Sequence, residues 1–445
     1  MTFMEEFVAY CDEYGAPERI ELLLCDINAV LRGKWLPGEQ AEKLAKGGVR
    51  LPMSTYAPNI LGYEVEATGL GIVVGDPDGY MQPISGTLKP VPWQDGNVAQ
   101  VLVELTDTEG KISSLSTREM LRGVLKRFEQ KGLRPVTASE LEFYVLQARE
   151  TSRAEPAPPK LTPDAQNYDM ELLQRKEPVL TEILDAAAAQ GLDTDTLIAE
   201  YGPGQFEVNF HHTDDALAAA DTALMFRRLV RGVVARHGLE ATFMAKPYAD
   251  LPGNGMHLHV SLIDEKDRNV FDGGGPLSET LKHAVGGVLD SMRDMQAIFA
   301  PHLNSYRRFG LGSFAPAGPE WGMDHRGAAV RLPEIAGPGA RLEHRIAGAD
   351  VNPYLVFAAI LGGILDGLDH PRDLPPPLDT SDGSQAPPLA SDWSTAVEQF
   401  AQSELAKEIF GENYRHVYTE VRRDEIKELA SIITPVEYRY YLSRF

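Results

Sequence analysis

A chain of 445 residues with 43% apolar side chains can bury a substantial core and fold as more than one structural unit. Its 42 Lys and Arg face 65 Asp and Glu, a net charge of −23 that argues against nucleic acid as a partner and favours small cations. The two cysteines, Cys11 and Cys25, lack metal-ligand spacing, and the acidic start MTFMEEFVAY is unlike a secretory signal, so a reducing cytoplasm is expected.

Taken in chain order, RIELLLCDINAV (19–30) followed by LRGKWLP (31–37) reads as a strand, a turn and a second strand. VAQVLVEL (98–105) again has strand composition, and TREMLRGVLKRFEQKG (117–132) carries apolar residues at helical spacing. A domain boundary is placed near residue 110, giving units 1–110 and 111–445. Two segments, 151–166 and 370–393, are rich in proline and polar residues and are expected as mobile surface loops or insertions. The longest apolar run, Tyr354 to Leu365, falls short of the roughly 20 residues that a bilayer requires and reads as a buried helix, so no membrane partner is expected. VEQFAQSELAKEIFG and VRRDEIKELASII read as helices, closed by the aromatic tail VEYRYYLSRF, and no internal repeat is present.

Chemistry concentrates in four segments. In ASELEFYVL, Glu140 and Glu142 are two apart in a β-rich run and share a strand face. In AEYGPGQFEVNF, Glu200 and Glu207 flank a Gly-Pro-Gly turn that can fold both carboxylates toward one point. GNGMHLHVSL sets His257 and His259 on one face after a glycine turn, and ARLEHRIAGADVNPYL alternates Arg341, Glu343 and Arg345 before an Asn-Pro helix start. Taken singly, each pattern is more often structural than functional, an alternating charge ladder being usually a solvated face. Together they supply carboxylates and imidazole without thiolate, the donor set of a hard divalent cation. Arg307, Arg308, Arg326, Arg331, Arg341 and Arg345 form a basic set in an acidic chain, suited to carboxylate and phosphate, so the combination describes phosphoryl transfer. No Walker A loop or kinase motif set is present.

The ordered motifs ELEF, EYGPGQFE, GNGMHLHVSL, NSYRR, HRGAAVRLP, RLEHR and NPYL resemble those of the bacterial-type glutamine synthetase family, with matches spread over most of residues 20 to 365. The resemblance implies an α+β fold: a small N-terminal β-grasp-like domain (1–110) and a large catalytic domain (111–445) with a curved antiparallel sheet backed by helices. It further implies active sites shared between neighbouring subunits of a homododecamer built from two hexameric rings. The implied reaction is attack of the glutamate γ-carboxylate on ATP, giving γ-glutamyl phosphate, which an amine then displaces. Carried over by motif, Glu142, Glu200 and Glu207 would hold one Mg²⁺ or Mn²⁺, and Glu140, His257 and Glu343 another. Arg308 and Arg345 would grip glutamate, with the Gly253 backbone beside its amino group; Arg326 and Arg331 would stabilise the phosphoryl group, and His259, Ser261 and Arg341 would meet ATP.

Two departures bear on the nucleophile. Ammonia-using members of the family carry a glutamate before Ala-Pro in the loop after NSYRR, where this chain has Phe314. They also carry an aspartate before a Gly-Ser-Ser turn in the neighbouring subunit's N-terminal domain, and the corresponding stretch RLPMSTYAPNILG has no acid. Ammonium must be desolvated, held and deprotonated, so losing both acids disfavours it and points to the γ-glutamylpolyamine and γ-glutamylmonoamine synthetases. A cationic amine is therefore the expected third substrate beside glutamate and ATP, with Glu64, Glu66, Asp76, Asp78, Glu320 and Asp324 as acids available to a distal ammonium group. Phe314, Trp321, Met53 and Tyr56 are expected to set the pocket width. The alternatives are a glutamine synthetase that recruits Glu320 or Asp324 as its acid, a ligase for a different carboxylate, and an inactive relative, the last disfavoured by the full ligand set. GLDHPRDLPPPL lacks the tyrosine of adenylylated family members, which argues against that mode of control.

Overall fold

Two β-sheets organise the chain, which the computed structural model describes over residues 1–159, 164–309, 314–316, 318–378 and 388–445. The first contains β1 (Arg19–Cys25), β2 (Leu31–Pro37), β3 (Arg50–Pro52), β4 (Asp78–Pro83), β5 (Lys89–Pro90) and β6 (Val98–Thr106). Its order is β2-β1-β6-β4-β3, with β5 also on β6. β1 and β6 run parallel at the centre while their other neighbours are antiparallel, the arrangement of a β-grasp. Every residue of β6 is buried, as expected of a near-continuous apolar strand covered on both faces.

The second sheet contains β7 (Leu133–Gln147), β8 (Thr194–Ala199), β9 (Gln205–Phe210), β10 (Leu239–Thr242), β11 (Met256–Asp264), β12 (Trp321–Met323), β13 (Val330–Glu334) and β14 (Arg341–His344). The order is β12-β13-β14-β11-β7-β9-β8, with β10 also on β7. All pairings are antiparallel except β12 with β13. The long strand β7 alternates intermediate and buried residues over most of its length, so one face turns to the core and the other carries Glu140 and Glu142.

Helices back this sheet. The helix Ala216–Arg236 starts at Asp215, whose side chain accepts from the Ala218 backbone, and buries Leu224, Phe226, Val230 and Val234. The apolar run read from sequence is the helix Pro353–Asp369, capped by Asn352 and buried along almost its whole length. It packs against the helix Glu279–Ser291 at glycines: a Cβ on Gly287 would lie 2.1 Å from the Gly363 carbonyl oxygen, so no side chain fits at that crossing. No helix among the described residues is long and apolar enough to cross a membrane. One continuous buried apolar cluster runs through both sheets and these helices, and residue 110 lies in the connection between β6 and the helix Thr117–Gln130.

Of the proline-rich segments, residues 160–163 and 379–387 lie outside the described residues, and the described ends are more tied down than their composition suggests. Gln166 is buried and its amide donates to the Gln205 carbonyl at 2.7 Å, and Leu389, Ala390 and Trp393 are buried, with Ala390 paired in both directions to the Gln296 side chain. The aromatic tail forms the helix Pro435–Tyr441, in which no residue is buried and Tyr438, Tyr440 and Tyr441 are exposed.

Candidate active site

Strand register places the acids and histidines opposite one another. Glu140 on β7 pairs with His257 on β11, Glu142 on β7 with Glu207 on β9, and Glu343 on β14 with both His259 on β11 and Arg331 on β13. Residues opposite on one face of an antiparallel pair have their Cβ atoms about 4.5–5.5 Å apart, so the period of two read from the sequence becomes a cluster in space. Among the described residues, Glu140, His257 and Glu343 form one group of ligand atoms within 4.8 Å of one another, and Glu142, Glu207 and His257 form a second that shares His257. Glu200 stands just outside both, following β8 and lining the same cavity of about 770 Å³.

The electrostatics of this cluster are unbalanced. Burial raises the Glu207 carboxyl well above its usual value and the carboxylates of Glu140, Glu142 and Glu200 push it further. Burial, followed by Glu142, pushes Glu200 up to about 7. Burial would also raise Glu140, but hydrogen bonds at 2.9 Å from both His257 and His259 outweigh it and hold its carboxyl below the usual range. Glu343 has no exposed surface, and Arg345 and His257 outweigh its burial and lower its carboxyl. Several crowded carboxylates with an imidazole and no thiolate fit Mg²⁺ or Mn²⁺, whose charge would relieve the repulsion that now favours protonation.

The arginines surround this cluster. Arg331 spans from Asp324, at 3.0 and 2.5 Å, to Glu343 at 2.9 Å. Arg345 is buried, pairs with Glu343, and donates to the Arg326 carbonyl at 3.2 Å. Arg341, Glu343 and Arg345 are not the solvated face that an alternating charge ladder usually forms, because the second sheet folds Glu343 and Arg345 inward. Arg308 is buried and donates to the Ile346 carbonyl at 2.6 Å. Arg326 is exposed at the cavity edge. Gly253 lies beneath Arg308, where a Cβ would come within 2.5 Å of the Ala245 carbonyl oxygen and 3.0 Å of Arg308 Cγ. Arg308 can pack this close to the backbone only because the residue is glycine.

A second cavity of about 370 Å³ lies on the other side of Glu140, which lines both. His259, Ser261 and Arg341 line it, so the three residues assigned to ATP by resemblance share one cavity, separate from that of Arg308, Arg345 and Gly253. Arg341 reaches His259 at 3.4 Å. Sequence reasoning missed His211 and His212, which follow β9 and face the same space.

At the mouth of the larger cavity Phe314 is 64% exposed and meets Tyr201 edge-to-face, with ring centroids 5.3 Å apart. Tyr168 and Asn167 line the same mouth with left-handed backbone, φ 67° and 44°, a conformation that costs a non-glycine residue and marks a constrained turn. These two and Tyr201 were not singled out from sequence: Tyr201 follows Glu200 in the chain, whereas the Tyr168 N–H donates to the Ala199 carbonyl at 3.0 Å and so brings a distant turn to that segment. Of the residues expected to set pocket width, only Phe314 lines this cavity. Tyr56 is drawn into the core and its hydroxyl accepts from the Leu105 backbone, Trp321 is buried and donates to the Pro375 carbonyl, and Met53 packs near Gly79 on the first sheet. None of Glu64, Glu66, Asp76, Asp78, Glu320 and Asp324 lines it either. Glu64 and Asp76 instead converge on Ser54: Ser54 Oγ donates to Asp76 at 2.8 Å and stands 3.4 Å from Glu64, so the stretch without an acid in sequence has two folded onto it.

Comparison with known proteins gives the family. The catalytic domain of glutamine synthetase matches residues 114–441. The chain is 36% identical over 449 residues to γ-glutamylputrescine synthetase PuuA of Escherichia coli (strain K12), covering 99% of this chain and 95% of that one. It is 32% identical over 437 residues to glutamate–isopropylamine ligase of a Pseudomonas species, covering 96% and 95%. The solved structure of a GmaS/ADP complex superposes with a TM-score of 0.85 at 27% identity, covering 98% and 99%. The chain belongs to the glutamine synthetase family, and the α+β fold expected from the motifs is the fold observed.

Proposed function

We propose that this ligase joins the γ-carboxylate of glutamate to a primary amine, with cleavage of ATP to ADP and phosphate. The observation that carries the choice of amine over ammonium is Phe314 packed on Tyr201 at the mouth of the cavity, where an acid would serve ammonium. Two amine-named relatives similar over nearly the whole chain support the same reading.

In this reading Arg308 and Arg345 hold the glutamate carboxylates and the Gly253 carbonyl lies beside the amino group. ATP occupies the cavity of His259, Ser261 and Arg341, so its terminal phosphate reaches the glutamate across Glu140. Glu142, Glu200 and Glu207 would hold one divalent cation, and Glu140, His257 and Glu343 another. Such cations neutralise charge on a moving phosphoryl group. A γ-carboxylate oxygen bonds to the terminal phosphorus as ADP leaves, with Arg326 and Arg331 at the transferring group. The amine nitrogen then bonds to the acyl carbon and phosphate departs. Phe314 and Tyr201 offer aromatic surface to the carbon substituent of the entering amine, in place of a carboxylate that would hold an ammonium ion.

The assignment extends to assembly. The exposed aromatic helix Pro435–Tyr441 fits docking on a second copy in the expected double hexameric ring, since a free aromatic tail is otherwise exposed apolar surface. In such a ring the first sheet, as part of an N-terminal unit 1–110, would bring Glu64 and Asp76 beside the catalytic unit 111–445 of a neighbour, where they would seat the distal ammonium group of a diamine or polyamine.

Glutamate- and ATP-dependent phosphate release, followed with Mg²⁺ across ammonium, methylamine, ethanolamine, putrescine, spermidine and spermine with product mass confirmed, tests the reading. Turnover with one amine class and little with ammonium is expected. Turnover chiefly with ammonium would overturn the assignment of Phe314.

A further inference from the structure

A third cavity, of about 640 Å³, lies away from the catalytic cluster, between the first sheet and the helix Ala216–Arg236. In a chain of net charge −23 it is lined by three arginines of that helix, Arg227 and Arg231 one turn apart on the same face and Arg228 beside them. Arg228 is matched: it donates to Gln100 at 2.8 Å and pairs with Glu21. The other two are not. Arg227 is 4% exposed, its Nη1 donates to the Ala349 and Val351 carbonyls, and its Nε and Nη2 are buried without a hydrogen-bond partner. Burial, followed by Arg231, lowers the Arg227 guanidinium to about 10, which leaves it charged near neutral pH. Arg231 is exposed at the edge of the cavity and donates through Nε to the Arg227 carbonyl, which leaves its two Nη atoms open to solvent and to an incoming anion.

The acid opposite does not close this account. Asp350 also lines the cavity, but one carboxylate oxygen accepts from Ser305 at 2.7 Å, and the other is buried without a partner rather than on either arginine. A buried guanidinium with orphaned donors beside a second cation is costly unless an anion completes it. Planar guanidinium forks match carboxylate and phosphate oxygens. The remaining wall is mixed: Leu224, Phe243, Met244 and Trp93 give it an apolar side and Asn28, Gln94, Thr242 and His302 a polar one, and the volume lies in the range of small-molecule sites. We propose that this cavity is a second ligand site that takes a small organic oxyanion, its carboxylate or phosphate held between Arg227 and Arg231 and its body against the Leu224, Phe243 and Met244 wall.

The cavity wall is wired to the larger active-site cavity. Arg227 holds the Ala349 carbonyl; the Ala349 N–H donates to the Asn254 carbonyl at 3.0 Å; and Asn254 Nδ2 donates to the Met244 carbonyl at 2.9 Å. Asn254 follows Gly253, so an anion that draws Arg227 or Met244 shifts the backbone beside the assigned glutamate site. This regulatory consequence rests on the proposed function, whereas binding itself does not.

Isothermal titration of the full chain loaded with Mg²⁺, AMP-PNP and glutamate tests the site, with succinate, inorganic phosphate and AMP as probes. At least one probe is expected to bind with a Kd of about 1 mM or tighter, and at least about tenfold more weakly to Arg231→Gln and to Met244→Glu, which places a carboxylate in the cavity. Arg326→Gln, altered only at the active-site cavity, is expected to bind it as the unaltered chain does. The same probe should shift the glutamate KM of the unaltered chain and not that of Arg231→Gln. No binding, binding kept in both cavity variants, or binding lost in Arg326→Gln would overturn the site; binding with an unmoved KM would overturn the link through Asn254. Because binding is read without turnover, failure of the amine assignment leaves this result separable.

Discussion

Glu142 and Glu207 stand directly opposite each other across the β7–β9 ladder, two carboxylates placed on one face where like charges repel. Protonation is favoured on the Glu207 side of the pair and on the nearby Glu200. Glu207 is raised well above its usual value by burial and its acidic neighbours, and Glu200 is pushed up to about 7 by burial and Glu142.

The sign of the resulting pH dependence follows from linkage. An acid whose folded-state value exceeds its ordinary one, 4.5 for Glu200, stabilises the fold below that ordinary value and loses the contribution as pH rises toward about 7. A divalent cation replaces the protons, so its stabilisation grows over the same window. Thermal unfolding with and without Mg²⁺ or Mn²⁺ should show a larger rise in Tm at about pH 8 than at about pH 5.5. Glu207→Gln should shrink the difference. Equal metal-induced shifts at both pH values would show that these carboxylates do not form the cation site.

Glu343 presents a different balance, since it has no exposed surface and sits between Arg331 and Arg345. Removing one member of a buried charge cluster strands the others, at about 3–5 kcal/mol. Glu343→Ala should therefore lower the unfolding free energy by about 3–5 kcal/mol, read as a lower denaturant midpoint in the metal-free protein, beyond any loss of activity. Asp324→Asn breaks the outer contact of the same Arg331, but Asp324 is exposed and its loss should leave Tm essentially unchanged. If the two variants unfold alike, Glu343 is not the structural anchor of the arginine pair.

Sequence reading recovered the parts of this site that obey local periodicity. Glu140 and Glu142, or His257 and His259, need only a strand to share a face, and β7 and β11 supply one. What escaped was whatever depends on where distant segments meet. Tyr168 reaches the cavity through a left-handed turn that no residue pattern announces, since Asn167 and Tyr168 are not glycine. Tyr56 looked like a pocket residue until its hydroxyl was seen bonded to the Leu105 backbone in the core. Arg227 reads in sequence as one more charge on a helix, and only tertiary packing shows that its guanidinium is buried.

Gly253 gives a test of the glutamate end that is independent of the metals. A Cβ there would press on the Ala245 carbonyl oxygen at 2.5 Å and on Arg308 at 3.0 Å, and the backbone oxygen of Ala245 cannot rotate away. Gly253→Ala should displace Arg308 and raise the glutamate KM by about tenfold or more, with the ATP KM within about twofold, because His259, Ser261 and Arg341 line the other cavity. Parallel increases in both constants would place Gly253 in general packing instead.

Phe314→Glu tests the nucleophile. The substituted carboxylate would stand at the cavity mouth beside Tyr201. A positioned general base contributes about 10²–10⁴-fold to proton transfer, so even imperfect placement should raise the ratio of ammonium to amine kcat/KM by at least about tenfold. Phe314→Gln has similar size and polarity without the charge, and should lower amine turnover while leaving ammonium unused. A ratio that rises equally in both variants would mean that pocket shape, and not the missing acid, separates amine from ammonium.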